Sequence, residues 1–149
     1  MSKRNQLTAL HRQALAPLTG KIATGFRWDK SPNPRLFSDK FTVRLRDIEQ
    51  HNSELFLGVH YKYYGIPEEK TYALNLSTQM LTTGVIEYQD PFAGFSEREH
   101  EVLHEFLREP LGGFHLFPDQ SLVMIFAHQS LLFEIDPAED QLHLGWAVT

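Results

Sequence analysis

The chain has 149 residues, of which 42% are hydrophobic, and a formal net charge of −5. This length suits one domain with a real core, and we predict a single domain over residues 1–149. The sequence contains no cysteine, which excludes disulfides, thiol catalysis and cysteine-bound iron–sulfur clusters.

An N-terminal helix is predicted because apolar residues recur at a spacing that places them on one helical face. These residues are Leu7, Leu10, Ala14 and Leu18. A strand is predicted over residues 21–29, because every second side chain would lie on the same face and form its buried side. That side contains Ile22, Thr24, Phe26 and Trp28. The two prolines within residues 29–35 indicate a loop, since proline cannot sit in a central strand.

A β-hairpin is the clearest pattern in the middle of the chain, because two runs alternate between apolar and mostly polar residues. The first run buries Phe41, Val43 and Leu45, and the second buries Leu55, Leu57, Val59, Tyr61 and Tyr63. Residues 72–76 continue this meander, and residues 80–88 predict a further strand.

The last third returns to strands after one helix at about 96–109. Residues 111–121 indicate a turn-rich return, and residues 122–129 indicate a central strand because both of its faces are apolar. Residues 130–136 are expected to pair with it, and residues 142–148 form a last alternating strand. The fold class predicted is α+β: a mainly antiparallel sheet of hairpins and meanders with about seven to nine strands, plus these two helices.

The helix near residue 100 contains the most suggestive motif, His100-Glu101-Val102-Leu103-His104. These five residues resemble the H-E-x-x-H motif of zincins. That resemblance implies zinc ligation by His100 and His104, with Glu101 as the general base. A third ligand could come from His115, His128 or His143, although no spacing rule selects one, and the metzincin extension fails because Leu107 and Pro110 replace its glycine and third histidine.

The same helix is also explained without a metal, and we favour this interpretation and expect no cofactor. Ser96 and Glu99 have the spacing of a capping box, which stabilises a helix N-terminus. An apolar stripe would dock the helix on a sheet. It consists of Val102, Leu103, Phe106 and Leu107. His100 and His104 lie at the edge of this stripe, where half-buried packing histidines are common.

A row of four glutamates on the opposite face of the helix is harder to explain by stability alone. The row consists of Glu97, Glu101, Glu105 and Glu109. Like charges four residues apart on a helix cost a few tenths of a kcal/mol per pair. The row is therefore either a solvated face or an acidic docking surface for a basic partner.

Charge is also distributed unevenly along the chain. Residues 1–46 contain ten Lys and Arg against two Asp, while residues 47–149 contain four basic residues against seventeen acidic ones. We favour pairing of these charges inside one domain over two surfaces with different partners. Basic and aromatic residues mix in residues 25–37, as in single-strand nucleic-acid grooves, but the acidic chain as a whole argues against this partner.

The first functional hypothesis is a small, non-enzymatic, cytoplasmic domain that neutralises or chaperones a partner protein with a basic surface. Bacterial immunity proteins and antitoxins have this profile. The expected contact residues are Glu97, Glu101, Glu105, Glu109, His100 and His104. The second hypothesis is a zinc-dependent hydrolase using the HEVLH motif, and the third is a nucleic-acid binder using the basic first third.

Location follows from the absence of membrane and secretion signals in the sequence. The longest uninterrupted apolar run, Leu122–Ala127, is far too short to span a bilayer. The first twenty residues begin with basic residues but lack the apolar region of a secretory signal. We therefore expect a cytoplasmic protein without a membrane partner.

Overall fold

The computed structural model describes residues 3–31, 38–49, 51–62, 71–81, 92–139 and 141–148. Helix α1 spans Lys3–Leu15 and continues into a 3₁₀ turn over Ala16–Leu18. Helix α2 spans Glu97–His104. The strands are β1 (Ile22–Asp29), β2 (Lys40–Arg46), β3 (Asn52–Lys62), β4 (Thr71–Leu81), β5 (Phe92–Ala93), β6 (Gly113–Leu116), β7 (Leu122–Ile125), β8 (Gln129–Asp136) and β9 (Gln141–Val148). These elements confirm the predicted α+β class.

The first sheet contains five strands in the order β4–β3–β2–β1–β5. Its pairs are antiparallel except for β5, which runs parallel to β1. The predicted hairpin is confirmed as β2 and β3, with Val43 opposite Leu55 and Phe41 opposite Leu57. All four side chains are buried, so one face of this sheet forms the core.

Strand β1 differs from its predicted face at one end. The sequence predicts Ile22 and Thr24 on the buried face, but Ala23 is the fully buried residue and lies opposite Leu45. The register shifts at Thr24, whose hydroxyl donates to the Arg44 carbonyl at 3.4 Å. A bulge of this kind inserts one unpaired residue and so inverts the alternation on one side of it.

The second sheet contains four antiparallel strands in the order β6–β7–β8–β9. Strand β7 lies between β6 and β8, which confirms a central strand at the start of the predicted residues 122–129. The strand is shorter than predicted, because it ends at Ile125 and Gln129 already belongs to β8. The prediction of an irregular return over residues 111–121 is wrong in part, because Gly113–Leu116 forms β6. Its pairing with β7 depends on residues about ten positions away, and the two adjacent glycines hide it from a local pattern.

The two sheets pack through their apolar faces. The rings of Phe41 in β2 and Phe133 in β8 meet with centroids 4.8 Å apart and planes at 72°. At the rim of this core, the backbone N–H of Asp39 donates to Gln141 Oε1 at 2.7 Å, which links the start of β2 to β9. The edge-to-face contact between Phe41 and Phe133 adds to the stabilisation that burial of the two rings provides.

Helix α1 covers one side of this core with a face different from the one predicted. Leu15 and Leu18 are buried as expected of a docked helix, but Leu10 is 60% exposed. The position that turns inward is His11, which is 5% exposed. Its imidazole hydrogen-bonds to the backbone of Leu74 in β4, and this bond lets a polar side chain occupy the buried face.

The strand predicted over residues 80–88 falls mostly in residues 82–91, which lie outside the described residues, although β4 extends to Leu81. Neither helix in the described ranges is both long and apolar enough to cross a membrane.

His11 makes the stability of the fold dependent on pH. Burial lowers the pKa of His11 below its usual value of 6.5, and Nδ1 is buried with no hydrogen-bond partner among the described residues. As the pH falls below about 6.5, the unfolded chain binds a proton at this position before the folded chain does. The contribution of neutral His11 is therefore complete above that pH and is lost as the pH falls toward the lower, folded-state pKa.

When the pH is lowered from 7.5 to 5.5, we expect the free energy of unfolding to fall less for the variant His11→Leu than for the native chain. Urea denaturation of both proteins at both pH values measures this difference. The remaining histidines are common to both proteins, so they cancel in the comparison. An identical pH dependence for the two proteins would contradict the role given to His11.

Candidate functional site

Helix α2 is held at both ends by the same edge of strand β1. Before the helix, β5 pairs with Phe26 and Arg27 of β1. After the helix, the chain returns over residues 108–111 and pairs with residues 20–23. This return makes four backbone hydrogen bonds: Arg108 N to Ala23 O, Ala23 N to Glu109 O, Leu111 N to Lys21 O and Gly20 N to Leu111 O, at 2.7–3.2 Å.

The start of α2 has the capping box predicted from the sequence. Ser96 Oγ accepts from the backbone N–H of Glu99 at 3.3 Å, and Glu99 Oε1 accepts from the backbone N–H of Ser96 at 3.0 Å. These two bonds satisfy N–H groups that a helix start otherwise leaves without partners. The predicted starting point of the helix is thus confirmed.

The end of α2 comes earlier than predicted, at His104 instead of about residue 109. Residues 105–108 form tighter turns, in which Phe106 N donates to Leu103 O and Leu107 N donates to His104 O. Arg108 then adopts a left-handed backbone with φ 68°. This conformation breaks the helical path and turns the chain onto the edge of β1.

The earlier end of the helix divides the predicted glutamate row. Glu97, Glu101 and Glu105 are exposed, and none of them makes an ion pair with any residue that the structure describes. Glu109 lies beyond the turn and is half-buried, with Oε2 enclosed and without a hydrogen-bond partner in the described ranges. The structure therefore brings three of the four glutamates together on one exposed face.

The two histidines of the HEVLH motif pack against one aromatic ring. The Phe92 ring centroid lies 5.3 Å from that of His100 and 6.2 Å from that of His104. His100 is half-buried and His104 is exposed. This geometry accounts for both imidazoles as packing groups at the edge of the apolar stripe, whose members Leu103 and Phe106 are fully buried.

A zinc site would need more than these two imidazoles. Among the residues that the structure describes, no group of three or more His, Asp or Glu side chains is arranged to hold a metal ion. The three possible third ligands all belong to the region of the second sheet: His115 is on β6, His128 is in the turn between β7 and β8, and His143 is on β9. The geometry therefore gives the zinc hypothesis no further support beyond the motif.

The basic first third of the chain contributes to the outer face of the first sheet, away from the core. Lys40, Arg44 and Arg46 alternate with the core residues Phe41, Val43 and Leu45 of β2; Lys40 is exposed, whereas Arg44 is buried. Arg44 NH2 lies 2.6 Å from Glu54 Oε1, an ion pair that joins the basic and acidic parts of the sequence. The predicted internal charge pairing therefore occurs at this position.

Two aromatic residues of the same segment, Phe26 and Trp28, pack against other aromatic rings of the structure. Phe26 is fully buried, and Trp28 packs edge-on against Phe41 and Phe95. Trp28 Nε1 also donates to Asp39 Oδ2 at 3.0 Å. Phe26 is therefore not available for stacking on a nucleic-acid base, and the Trp28 ring is engaged by Phe41 and Phe95, while Phe37 lies outside the described residues.

A polar groove on the outer face of the first sheet was missed from the sequence. It has a volume of about 400 Å³ and crosses β2, β3 and β4. Its described lining residues are Lys40, Phe56, Leu57, Gly58, Asn75, Ser77 and Gln79. The alternation of polar residues in β3 and β4 indicates a wet face, but only the strand register brings these side chains together.

Comparison with protein families, curated proteins and solved structures gives no significant match. Function therefore has to be inferred from the two surface features described above, namely the exposed face of α2 and the groove on the first sheet.

The close approach of α2 to β1 depends on Gly94. Gly94 has φ 89°, and a Cβ atom at this position would overlap the carbonyl oxygen of Trp28. Gly20 has a similar φ of 91° but open space around it.

We expect Gly20→Ala to lower the free energy of unfolding by about 1–2 kcal/mol from backbone strain alone, and Gly94→Ala to lower it by clearly more. Denaturation midpoints of the two variants test this, and equal losses would show that the contact with Trp28 is unimportant.

The capping box makes a second prediction about how α2 is held. Ser96→Ala is expected to lower the free energy of unfolding by about 1 kcal/mol, since it removes the acceptor for the Glu99 N–H. Ser77→Ala, at an exposed position in β4, serves as a matched control and should change stability by less than about 0.5 kcal/mol. Chemical denaturation of both variants provides the comparison, and a loss at Ser96 no larger than that at Ser77 would argue against the cap.

Proposed function

We propose that this chain is a protein-binding domain that engages a basic surface on a partner protein through the acidic helix face. We define this face as Glu97, Glu101 and Glu105, with His104 exposed beside them. Glu109 is left out of the proposed contact because its Oε2 is buried.

The observation that carries the proposal is the exposure of three carboxylates that have no ion-pair partner among the described residues. Like charges at positions i and i+4 destabilise a helix by a few tenths of a kcal/mol per pair. A basic surface docked on this face would replace that repulsion with attraction. Such complementarity speeds association and selects the partner, and both effects weaken as salt is added.

The rigid seating of α2 supports the same proposal. Leu103 and Phe106 are fully buried under the helix, the capping box holds its start, and the return strand of residues 108–111 holds its end. The three carboxylates are therefore presented on a backbone that is already ordered before binding. A surface of this kind loses little conformational entropy when a partner docks.

Neutralising or chaperoning a partner is the role we propose for this surface, in the manner of immunity proteins. A small acidic domain that covers a basic patch would block whatever that patch normally contacts. We propose this role in place of catalysis because the two histidines that would be zinc ligands pack on Phe92. Cytoplasmic location remains part of the same proposal.

Charge reversal tests the proposal. The double variant Glu101→Lys/Glu105→Lys should weaken partner binding by about tenfold or more, since each reversed charge adds repulsion on the order of 1 kcal/mol at a basic surface. The control is Glu134→Lys/Glu139→Lys, which makes the same change in net charge at exposed positions on β8 and the turn after it. The partner is first captured with the native chain, then purified and titrated against all three proteins.

Binding of the native chain and the control should fall steeply as salt rises from 50 to 500 mM. Equal losses of binding in both double variants would mean that only net charge matters, and would overturn the assignment of the acidic helix face. Unchanged binding in the Glu101/Glu105 variant would also overturn it. Circular dichroism of each variant establishes that any loss does not come from unfolding.

A further inference from the structure

The groove on the outer face of the first sheet is lined by residues from three neighbouring strands, β2, β3 and β4. Gly58 lies opposite Asn75 on β4, and Phe56 lies opposite Ser77. A Cβ atom at Gly58 would lie 2.9 Å from Ser38 Oγ and 3.5 Å from the carbonyl oxygen of Asp39, so the chain just before β2 packs closely over this position. The groove therefore follows from the strand register, which brings the lining side chains of the three strands together.

The lining of the groove has a definite chemistry. Lys40, Asn75, Ser77 and Gln79 are exposed, and Phe56 is half-buried beneath them. They provide one ammonium group, two amides, one hydroxyl and one aromatic ring. None of the described residues that line the groove has a carboxylate. Its volume of about 400 Å³ lies within the range of small-molecule sites, roughly 300–1,000 Å³.

Lys40 gives the groove a positive charge that no carboxylate in the described part of the chain neutralises. Its Nζ lies 4.9 Å from the centroid of the Phe56 ring, and it makes no ion pair with any described residue. The nearest acidic residue along β3 on this face, Glu54, is engaged by Arg44 at 2.6 Å. In a chain with a net charge of −5, this face thus favours an anionic ligand.

The ring and the amides distinguish a nucleotide from a simple anion. A phosphate ion would use Lys40 but would gain nothing from Phe56, whereas a base has a flat face that stacks on an aromatic ring. Asn and Gln amides pair with the donor and acceptor on the edge of adenine. Asn75 and Gln79 lie on the same face of β4, on either side of Ser77, within one groove.

We propose that this groove binds a nucleotide. The Lys40 ammonium, which lies over the Phe56 ring in this structure, turns to the phosphate, the base takes its place on the ring, and the edge of the base is hydrogen-bonded by Asn75 or Gln79. The nucleotide is either free or one unit of a single strand, and the two sources share this chemistry. The site is separate from the acidic helix face and does not depend on the function proposed for it.

Binding is tested by titrating the ¹⁵N-labelled full chain with AMP, adenosine, inorganic phosphate and a twelve-residue single-stranded oligoadenylate. AMP is expected to shift the amide signals of Lys40, Phe56, Gly58 and Asn75. Lys40→Met should weaken AMP binding about tenfold, as expected for loss of a charge-assisted hydrogen bond. Phe56→Leu should weaken it by about fivefold or more, since it removes the stacking surface. Lys30→Met, at an exposed lysine outside the groove, should leave binding unchanged.

The ligands separate the two sources and the competing explanations. Binding of AMP as tight as that of the oligomer supports a free nucleotide. Binding of the oligomer at least tenfold tighter than AMP, with a steep dependence on salt, supports a single strand. The proposal is overturned if phosphate binds as tightly as AMP, if no ligand shifts the groove signals, or if Lys40→Met binds like the native chain. A native-like spectrum for each variant shows that the fold is kept.

Discussion

The structure around α2 depends on the backbone of one strand edge. The outer edge of β1 is hydrogen-bonded to β5 along Phe26 and Arg27, and to residues 108–111 along residues 20–23. An edge strand otherwise exposes a row of polar backbone groups, which must find partners when they are near the core. The chain meets this requirement twice, and α2 is the connection between the two pairings. Its position, its early end and its exposed face all follow from that constraint.

The local parts of this arrangement are predictable from the sequence. The alternation in β2 and β3 and the capping box of Ser96 and Glu99 each depend on residues a few positions apart, and both are confirmed. The bulge at Thr24, the short strand β6 and the end of α2 at His104 depend on contacts between distant segments. Periodicity shows which residues share a face, but it does not show where tertiary hydrogen bonds interrupt an element.

The candidate sites are likewise predictable from the sequence only where they depend on residues close together in the chain. Helical spacing is enough to place Glu97, Glu101 and Glu105 together, and it fails for Glu109 only because Arg108 turns the chain. The packing of both motif histidines on Phe92 involves a ring eight residues before the first of them, which spacing alone does not indicate. The groove is harder still to predict, because its lining comes from three strands whose register no single segment contains.

The strand order also separates the two surfaces in space. The acidic helix face adjoins β5, at one edge of the first sheet, while the groove extends to β4 at the other edge. Because the groove starts at Lys40 on β2, two to four strand spacings of about 4.8 Å put it roughly 10–19 Å from β5. The two surfaces therefore share no residue and no strand. Any influence of one ligand on the other would have to pass through the paired backbones of the five strands, and by linkage it would act equally in both directions.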